Sequence, residues 1–168
     1  MCGYFMRNLA YYRAGFRDSA SGKKELRGRG RDFWLHVSSN FLDAAVMEWC
    51  KLFGDKQGKH YWSKIVSDPA RFESELRRHL GIDAATLEKY IETIRRYRDK
   101  FTAHLDSERV MHIPNFDMAK AAVEFYHQHI VQKEIQHPEE LQGLVIDLDR
   151  CYRDATDEAH RVYEKSRI

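Results

Sequence analysis

The sequence predicts an all-α protein, and three observations support this fold class. Apolar side chains recur every three or four residues from end to end, as on amphipathic helices, without the alternation typical of strands. The chain has only nine glycines and three prolines, which disfavours a turn-rich β-sandwich or barrel. A length of 168 residues suits one domain with its own core. We therefore predict an up-and-down bundle of four to five long helices with an N-terminal helical arm.

The predicted domain covers residues 1–168, with a basic arm and linker at 1–31 and the bundle core at 32–168. Apolar side chains in the arm step by four, three and four residues, which predicts a short first helix with the stripe Phe5, Leu9, Tyr12 and Phe16. The small, basic, glycine-bearing stretch from Ser19 to Gly30 predicts a linker.

Positive charge is concentrated in this arm and linker, although the net charge of the chain is only +2. Up to position 31 the chain has only Asp18 and Glu25 against the basic residues Arg7, Arg13, Arg17, Lys23, Lys24, Arg27, Arg29 and Arg31. These cations could bind phosphates, meet an acidic surface of a partner, or simply be solvated. The balanced total charge disfavours a dedicated duplex-binding protein.

Capping residues place the next two helices. The second predicted helix starts after a cap at Asp32 and stops at Gly54, with the apolar stripe Trp34, Val37, Phe41, Ala45, Trp49 and Leu52. Asp68 followed by Pro69 opens the third helix in the favoured order of cap and proline, and Gly81 closes it.

Similar signals place the last three helices. Asp83 caps the fourth predicted helix, which runs to about His104, and Pro114 interrupts the loop that follows. The fifth helix is marked by Ala119, Val123, Tyr126 and Ile130. Pro138 starts the last predicted helix, whose stripe is Leu141, Leu144, Leu148, Tyr152, Ala155, Ala159 and Val162.

The three cysteines, Cys2, Cys50 and Cys151, are far apart in the sequence and form no Cys-x-x-Cys pair. Neither a thiolate zinc site nor a disulfide framework is indicated, and a reducing, cytoplasmic location fits. No apolar stretch has the length of a signal peptide or a membrane span, so we predict no membrane association. We also predict no cofactor and no metal.

A polar residue interrupts the apolar stripe of the fourth predicted helix. Arg98 occupies an apolar position in the stripe Leu87, Ile91, Ile94, Arg98, Phe101 and Leu105, and His104 lies on the flanking row of the same face. A guanidinium or imidazole turned toward a core is unfavourable unless it is paired or lines a cleft. The two side chains therefore indicate either a structural network or a functional site.

The chemistry that such a pair supports is cleavage of RNA without a metal. His104, whose ordinary pKa lies near neutrality, can take the proton of a ribose 2′-hydroxyl or give one to the leaving 5′-oxygen. Arg98 can stabilise the charge that develops on the phosphorus centre, and Asp99 can orient either group. Residues six apart on an α-helix differ by about 240° in direction, so the two side chains could converge only if the helix ends near His104 or if a second subunit supplies the other half of the site. A symmetric dimer with two facing copies would do the latter.

The segment also resembles a known family. Arg98-Asp99 followed by His104 is similar to the Arg-polar-x4–6-His motif of the HEPN superfamily (higher eukaryotes and prokaryotes nucleotide-binding domain), and Arg-Asp-Lys-Phe-Thr-Ala-His-Leu-Asp resembles its abortive-infection branch. The resemblance includes the helix order and spans roughly residues 32–162. It implies a helical bundle that dimerises around the motif. It also implies a metal-independent endoribonuclease, often a toxin restrained by an antitoxin or a phage-defence protein.

Two features limit how far the resemblance extends. Arg153-Asp154 before His160 also fits the loose spacing, and Arg31-Asp32 before His36 comes within one residue of it, although neither has the Ala-His-x-Asp continuation. Asp106 stands where one branch of the family has a tyrosine that a partner nucleotidylates, so the resemblance does not extend to regulation by that route.

We interpret the chain as a homodimeric endoribonuclease of the HEPN type that acts in a toxin–antitoxin or antiviral defence system. Its predicted partners are RNA, a second copy of the chain, and an antitoxin or nucleotidyltransferase. Arg98, Asp99 and His104 are the predicted catalytic residues, and the candidate substrate-binding residues are Arg95, Lys100, His36 and Asn40. The alternatives are a non-catalytic HEPN-like adaptor that binds a nucleotide, RNA or a partner protein, and, more weakly, a metal-dependent enzyme using some of the nine histidines.

Overall fold

The computed structural model describes residues 1–16, 30–103, 113–137, 139 and 142–165, with the side chains of 16 and 101–103 left aside. The six α-helices in these ranges are α1 (Cys2–Phe16), α2 (Arg31–Trp49), α3 (Pro69–Leu80), α4 (Ala84–Tyr97), α5 (Asp117–His129) and α6 (Leu148–Lys165). No strand occurs in these ranges, so the all-α prediction is confirmed and a helical bundle fits the element order.

Three helices end in a π-helical turn, in which backbone hydrogen bonds span five residues instead of four. These turns are Cys50–Gly54 after α2, Arg98–Ala103 after α4, and Ile130–Glu134 after α5. A short 3-10 helix, Trp62–Lys64, lies between α2 and α3. π turns are frequent at functional positions, so the one at Arg98 is of particular interest.

The contacts divide the chain into two compact units. The central unit contains Met1–Cys2 and Val46–Ile146, and the terminal unit contains Gly3–Ala45 and Asp147–Ile168. The predicted linker lies outside the described residues, apart from Gly30 at its end. The division into a basic arm and a bundle core stays a prediction.

Aromatic side chains form much of the core of the central unit. The ring of Phe72 on α3 contacts Trp62 at 5.0 Å between centroids, Phe125 at 5.5 Å and His129 at 4.9 Å. Helix α3 therefore packs against α5 through these rings. At the end of α2, Trp49 stacks on Phe53 at 5.3 Å, and both side chains are fully buried.

Both predicted ends of α3 and the predicted start of α4 are confirmed, whereas α4 ends at Tyr97 and a π turn follows it. The carboxylate of Asp68 accepts a hydrogen bond from the N–H of Arg71 at 3.0 Å, and Asp83 caps α4 by accepting from Thr86 at 2.8 Å. Gly81 closes α3 with a φ of 67°, a left-handed conformation that glycine adopts without strain.

Two helix starts differ from the prediction. Helix α2 begins at Arg31, so Asp32 lies in its first turn and is not the cap. Helix α6 begins at Leu148, ten residues after the Pro138 start that we predicted. Gly143 has a φ of 76°, which no α-helix can include, and the carboxylate of Asp147 caps the later start by accepting from the N–H of Arg150 at 2.8 Å.

The predicted stripe of α6 also needs correction at both ends. Leu144 precedes the helix and is exposed, while Pro138 and Leu141 lie outside the described residues. Near the end of α6, Tyr163 is buried and Val162 is exposed. The hydroxyl of Tyr163 donates to the carbonyl of Tyr11 on α1 at 3.1 Å, which turns that ring inward.

Helix α1 is an integral part of the terminal unit. Its side chains Phe5, Met6, Leu9 and Ala10 are fully buried. On its next turn, the Tyr11 hydroxyl donates to the Glu158 carboxylate of α6 at 2.6 Å. The predicted first helix is thus confirmed, and Phe5 and Leu9 of its predicted stripe are buried.

Candidate active site

Arg98 lies where α4 changes into its π turn. The preceding apolar positions Leu87, Ile91 and Ile94 are buried, as the stripe predicted. Arg98 continues this face as the first residue of the π turn, and its side chain is only 22% exposed. Its guanidinium is therefore partly withdrawn from solvent, as expected for a group that is paired or lines a cleft.

Asp99 holds the Arg98 guanidinium through one carboxylate oxygen. The Arg98 Nε donates to Asp99 Oδ1 at 2.8 Å, and Nη2 lies 2.7 Å from the same oxygen. Burial by itself would lower the pKa of Arg98, but the hydrogen bond and charge of Asp99, with the fields of Cys50 and Asp55, raise it overall. Arg98 is therefore a permanent cation whose orientation Asp99 restricts.

Cys50, the first residue of the π turn after α2, also interacts with Arg98. Burial raises the pKa of this thiol to about 11, although the charge and hydrogen bond of Arg98 act in the opposite direction. Cys50 is thus a protonated thiol against a guanidinium at neutral pH. The two π turns meet at this contact, because the Cys50–Gly54 turn packs on α4.

Gly54 ends the same turn and lies against the stem of Arg95. A Cβ at position 54 would be 3.1 Å from Cγ of Arg95 and 3.4 Å from Sγ of Cys50. The absence of a side chain at Gly54 therefore lets the α4 arginine pass close to the turn. Arg95 itself is exposed, with its stem fixed at one end by this contact.

An open groove of about 530 Å³ follows the exposed side of α4 into the π turn. The groove is lined by Glu88, Glu92, Arg95, Arg96, Asp99 and Lys100. Two of its carboxylates are paired, Glu92 with Arg96 at 3.2 Å and Glu88 with Lys56 at 3.0 Å. The cationic end of the groove is the one nearest the π turn, where Arg95, Arg98 and Lys100 are close in sequence.

His104 lies outside the described residues, and so do Leu105 and Asp106. The pairing of Arg98 with His104 therefore stays a prediction. The angle of about 240° assumed an unbroken α-helix, whereas residues 98–103 form a π turn. That calculation does not apply to this segment.

The four candidate substrate-binding residues are divided between the two units of the chain. His36 and Asn40 lie on α2 in the terminal unit, and both side chains are exposed. Arg95 and Lys100 lie in the central unit with Arg98 and line the groove. Only the second pair is brought together with Asp99.

The three Arg-Asp pairs at or within one residue of the motif spacing differ in exposure. The side chain of Arg98 is 22% exposed, compared with 57% for Arg31 and 65% for Arg153. Arg31 lies 3.6 Å from Asp32, and Arg153 pairs with Asp149 at 2.7 Å on the surface of α6. Of the three, the Arg98 pair alone combines a partly buried guanidinium with a neighbouring charged groove.

Sequence reasoning missed Cys50 and Gly54 as parts of this site. Gly54 was interpreted only as a helix stop and Cys50 only as a cysteine without a partner. The signal that could have indicated them is the glycine itself, which follows an apolar stripe and allows close approach.

The described residues contain no group of three or more His, Cys, Asp or Glu side chains that could hold a metal. Within them, no helix is both long and apolar enough to cross a membrane.

Comparison with models of protein families, with curated proteins and with solved structures found no match for this chain. The resemblance to the HEPN superfamily therefore depends on the segment from Arg98 to His104 and on the helix order. It stays a prediction.

Proposed function

We propose that the chain is a metal-independent endoribonuclease of the HEPN type that acts as a toxin or phage-defence component. The observation that carries this proposal is the partly buried Arg98 guanidinium, held by Asp99, which itself lines a groove of charged side chains. A cation in such a position is oriented before substrate arrives, which is what stabilisation of a developing charge requires.

The proposed reaction needs no group beyond the chain and the RNA. The ribose 2′-oxygen attacks the adjacent phosphorus, the bond from phosphorus to the 5′-oxygen breaks, and a 2′,3′-cyclic phosphate and a 5′-hydroxyl result. His104 takes the 2′-hydroxyl proton, and the imidazolium so formed, or that of the second copy, gives a proton to the 5′-oxygen. Arg98 contacts the non-bridging phosphate oxygens, and Asp99 orients Arg98.

Arg95 and Lys100 are proposed to contact the flanking phosphates. Both line the groove beside Asp99, and cations along a groove bind a phosphate backbone without reading its sequence. Glu88 and Glu92 are paired with Lys56 and Arg96, which reduces their repulsion of an RNA strand. A second copy of the chain is proposed to complete the site across a two-fold axis.

The test is cleavage of unstructured RNA in the presence of EDTA. We expect cyclic-phosphate products from RNA and no cleavage of an all-deoxy strand. His104→Ala and Arg98→Ala should each reduce the rate by about 10²–10⁴, the usual effect of a catalytic acid–base or charge-stabilising group. Arg153→Ala, at an exposed Arg-Asp pair, is the matched control and should leave the rate unchanged.

Two outcomes would reject the endoribonuclease. If the wild-type protein and His104→Ala were equally inert on many RNAs, the non-catalytic adaptor would be the better interpretation. If EDTA abolished a cleavage that added metal restored, the metal-dependent alternative would gain. Light scattering of the purified protein tests the proposed dimer, and a neighbouring gene for an antitoxin or nucleotidyltransferase would support the toxin role.

A further inference from the structure

The terminal unit contains a small cavity with aromatic walls, separate from the residues of the proposed active site. Its volume is about 180 Å³. Four rings line it, Tyr11 of α1, Trp34 and Phe41 of α2, and Tyr163 of α6, and the carboxylate of Glu158 lies among them. No step of the proposed RNA cleavage uses any of these residues.

The planes of neighbouring rings around the cavity are steeply inclined to each other. Trp34 and Tyr163 are almost perpendicular, with 87° between their planes and 5.4 Å between their centroids. Tyr11 and Phe41 are inclined by 56° at 5.0 Å. Aromatic rings offer a negative face to a cation, so several rings around one cavity attract positive charge from more than one side.

The polar groups at the cavity favour the same kind of ligand. The Tyr11 hydroxyl donates to Glu158 at 2.6 Å. Burial, reinforced by that hydrogen bond, raises the pKa of Tyr11 to about 12, so the phenol stays neutral and Glu158 carries the negative charge. The Tyr163 hydroxyl is directed to the backbone carbonyl of Tyr11 at 3.1 Å. The cavity thus combines a carboxylate with ring carbon.

From this arrangement we infer that the cavity binds a small quaternary ammonium compound, with the trimethylammonium head against the aromatic walls and its charge facing Glu158. A primary ammonium would carry three N–H donors into walls that are mostly ring carbon, which is unfavourable because buried donors need acceptors. A quaternary ammonium has no N–H group and therefore avoids this cost. The size also fits, since a cavity of roughly 150 Å³ holds a benzene molecule in another protein.

The experiment is calorimetric titration of the full chain with choline and with its neutral carbon isostere, 3,3-dimethylbutan-1-ol. We expect saturable binding of one choline per chain with a Kd on the order of 1 mM and at least about tenfold weaker binding of the isostere. Equal affinity for the two compounds would overturn the inference, because an apolar cavity without charge preference would explain it. Lack of saturation by choline at concentrations far above that Kd would overturn it too.

Two variants locate the binding site. Trp34→Leu should weaken choline binding about tenfold, and Glu158→Gln should weaken it several-fold. Glu164→Gln removes a carboxylate from the same helix outside the cavity and should bind like the wild-type protein. If Trp34→Leu does not fold, the exposed Glu158 position and the isostere still decide, and unchanged binding by Glu158→Gln would contradict the inference. Arg98→Ala should bind choline normally, so the outcome is independent of RNA cleavage.

Discussion

A methyl group added to Gly54 would lie 3.1 Å from Cγ of Arg95, closer than these carbons can approach without a shift. This contact joins the π turn after α2 to the helix that carries the candidate active site. Cβ and Sγ of Cys50 would each be 3.4 Å from the same methyl group, which is an ordinary contact distance, so the crowding is concentrated at the stem of Arg95.

Gly54→Ala should therefore destabilise the fold by about 1–3 kcal/mol through overpacking. The measurement is urea denaturation of the purified variant. Arg95→Ala removes Cγ, so in that background the same glycine substitution should be less costly, and the double-mutant cycle gives the coupling. An identical loss of stability in both backgrounds would show that the close approach to Arg95 is not the cause.

Asp99→Asn should slow RNA cleavage by roughly one order of magnitude, less than the ~10²-fold that a full 1 Å displacement can cause. The neutral amide keeps the shape of the side chain but weakens its hold on the Arg98 guanidinium. Asp154→Asn, which removes the carboxylate of the exposed ion pair between Arg150 and Asp154, is the matched control. The orienting role of Asp99 would be rejected if both variants cleaved at the wild-type rate while Arg98→Ala did not.

Glu75 should give the protein a specific sensitivity to acid. Hydrogen bonds from Lys133 at 2.8 Å and Arg71 at 2.9 Å lower the pKa of Glu75 from 4.5 to about 2. The folded-state pKa is below the unfolded one, so this contribution to stability is present above pH 4.5 and is lost as the pH falls toward 2.

The glutamine of Glu75→Gln cannot ionise. The free energy of unfolding of this variant should therefore change less than that of the wild type between about pH 5 and about pH 3. Glu73→Gln, which removes the weaker pair with Arg77 at 3.7 Å on the same helix, is the control and should retain more of the wild-type slope. Parallel curves for Glu75→Gln and the wild type would contradict the assignment.

Tyr90→Phe should reduce stability by about 2 kcal/mol, because one hydroxyl makes two hydrogen bonds between α4 and the start of α5. It donates to the carbonyl of Asn115 at 2.7 Å and accepts from the N–H of Ala119 at 3.0 Å. Ala119 is fully buried, so its N–H would lose a partner that water cannot easily replace. Tyr4→Phe, at an exposed ring on α1, should change the melting temperature little, and a similar drop in both variants would count against this account.

Local signals in the sequence were sufficient to predict both ends of α3 and the start of α4. Asp68, Asp83 and Gly81 act within three or four residues of their own positions, so their effects on helix ends can be predicted without knowing the fold. The start of α6 could not be predicted in this way. Pro138 offered a start that the left-handed Gly143 prevents, and the sequence offered no ranking between that start and the one at Asp147.

The candidate site shows the same limit. Arg98 was predicted from a break in a periodic stripe, which is a local pattern, and Asp99 is its neighbour. Cys50 and Gly54 join the site through a contact between elements more than forty residues apart, which no spacing rule reports. The π turn at Arg98 was also unforeseen, since its residues fit an α-helical pattern equally well.

The burial of Cys50 against Arg98 makes this thiol a chemical reporter. Alkylating reagents attack the thiolate, and burial keeps almost no thiolate present at neutral pH. Labelling of Cys50 must therefore wait for a local opening that separates the two π turns. The rate of that labelling would measure how often Cys50 and Arg98 separate in the folded protein, before any RNA is added.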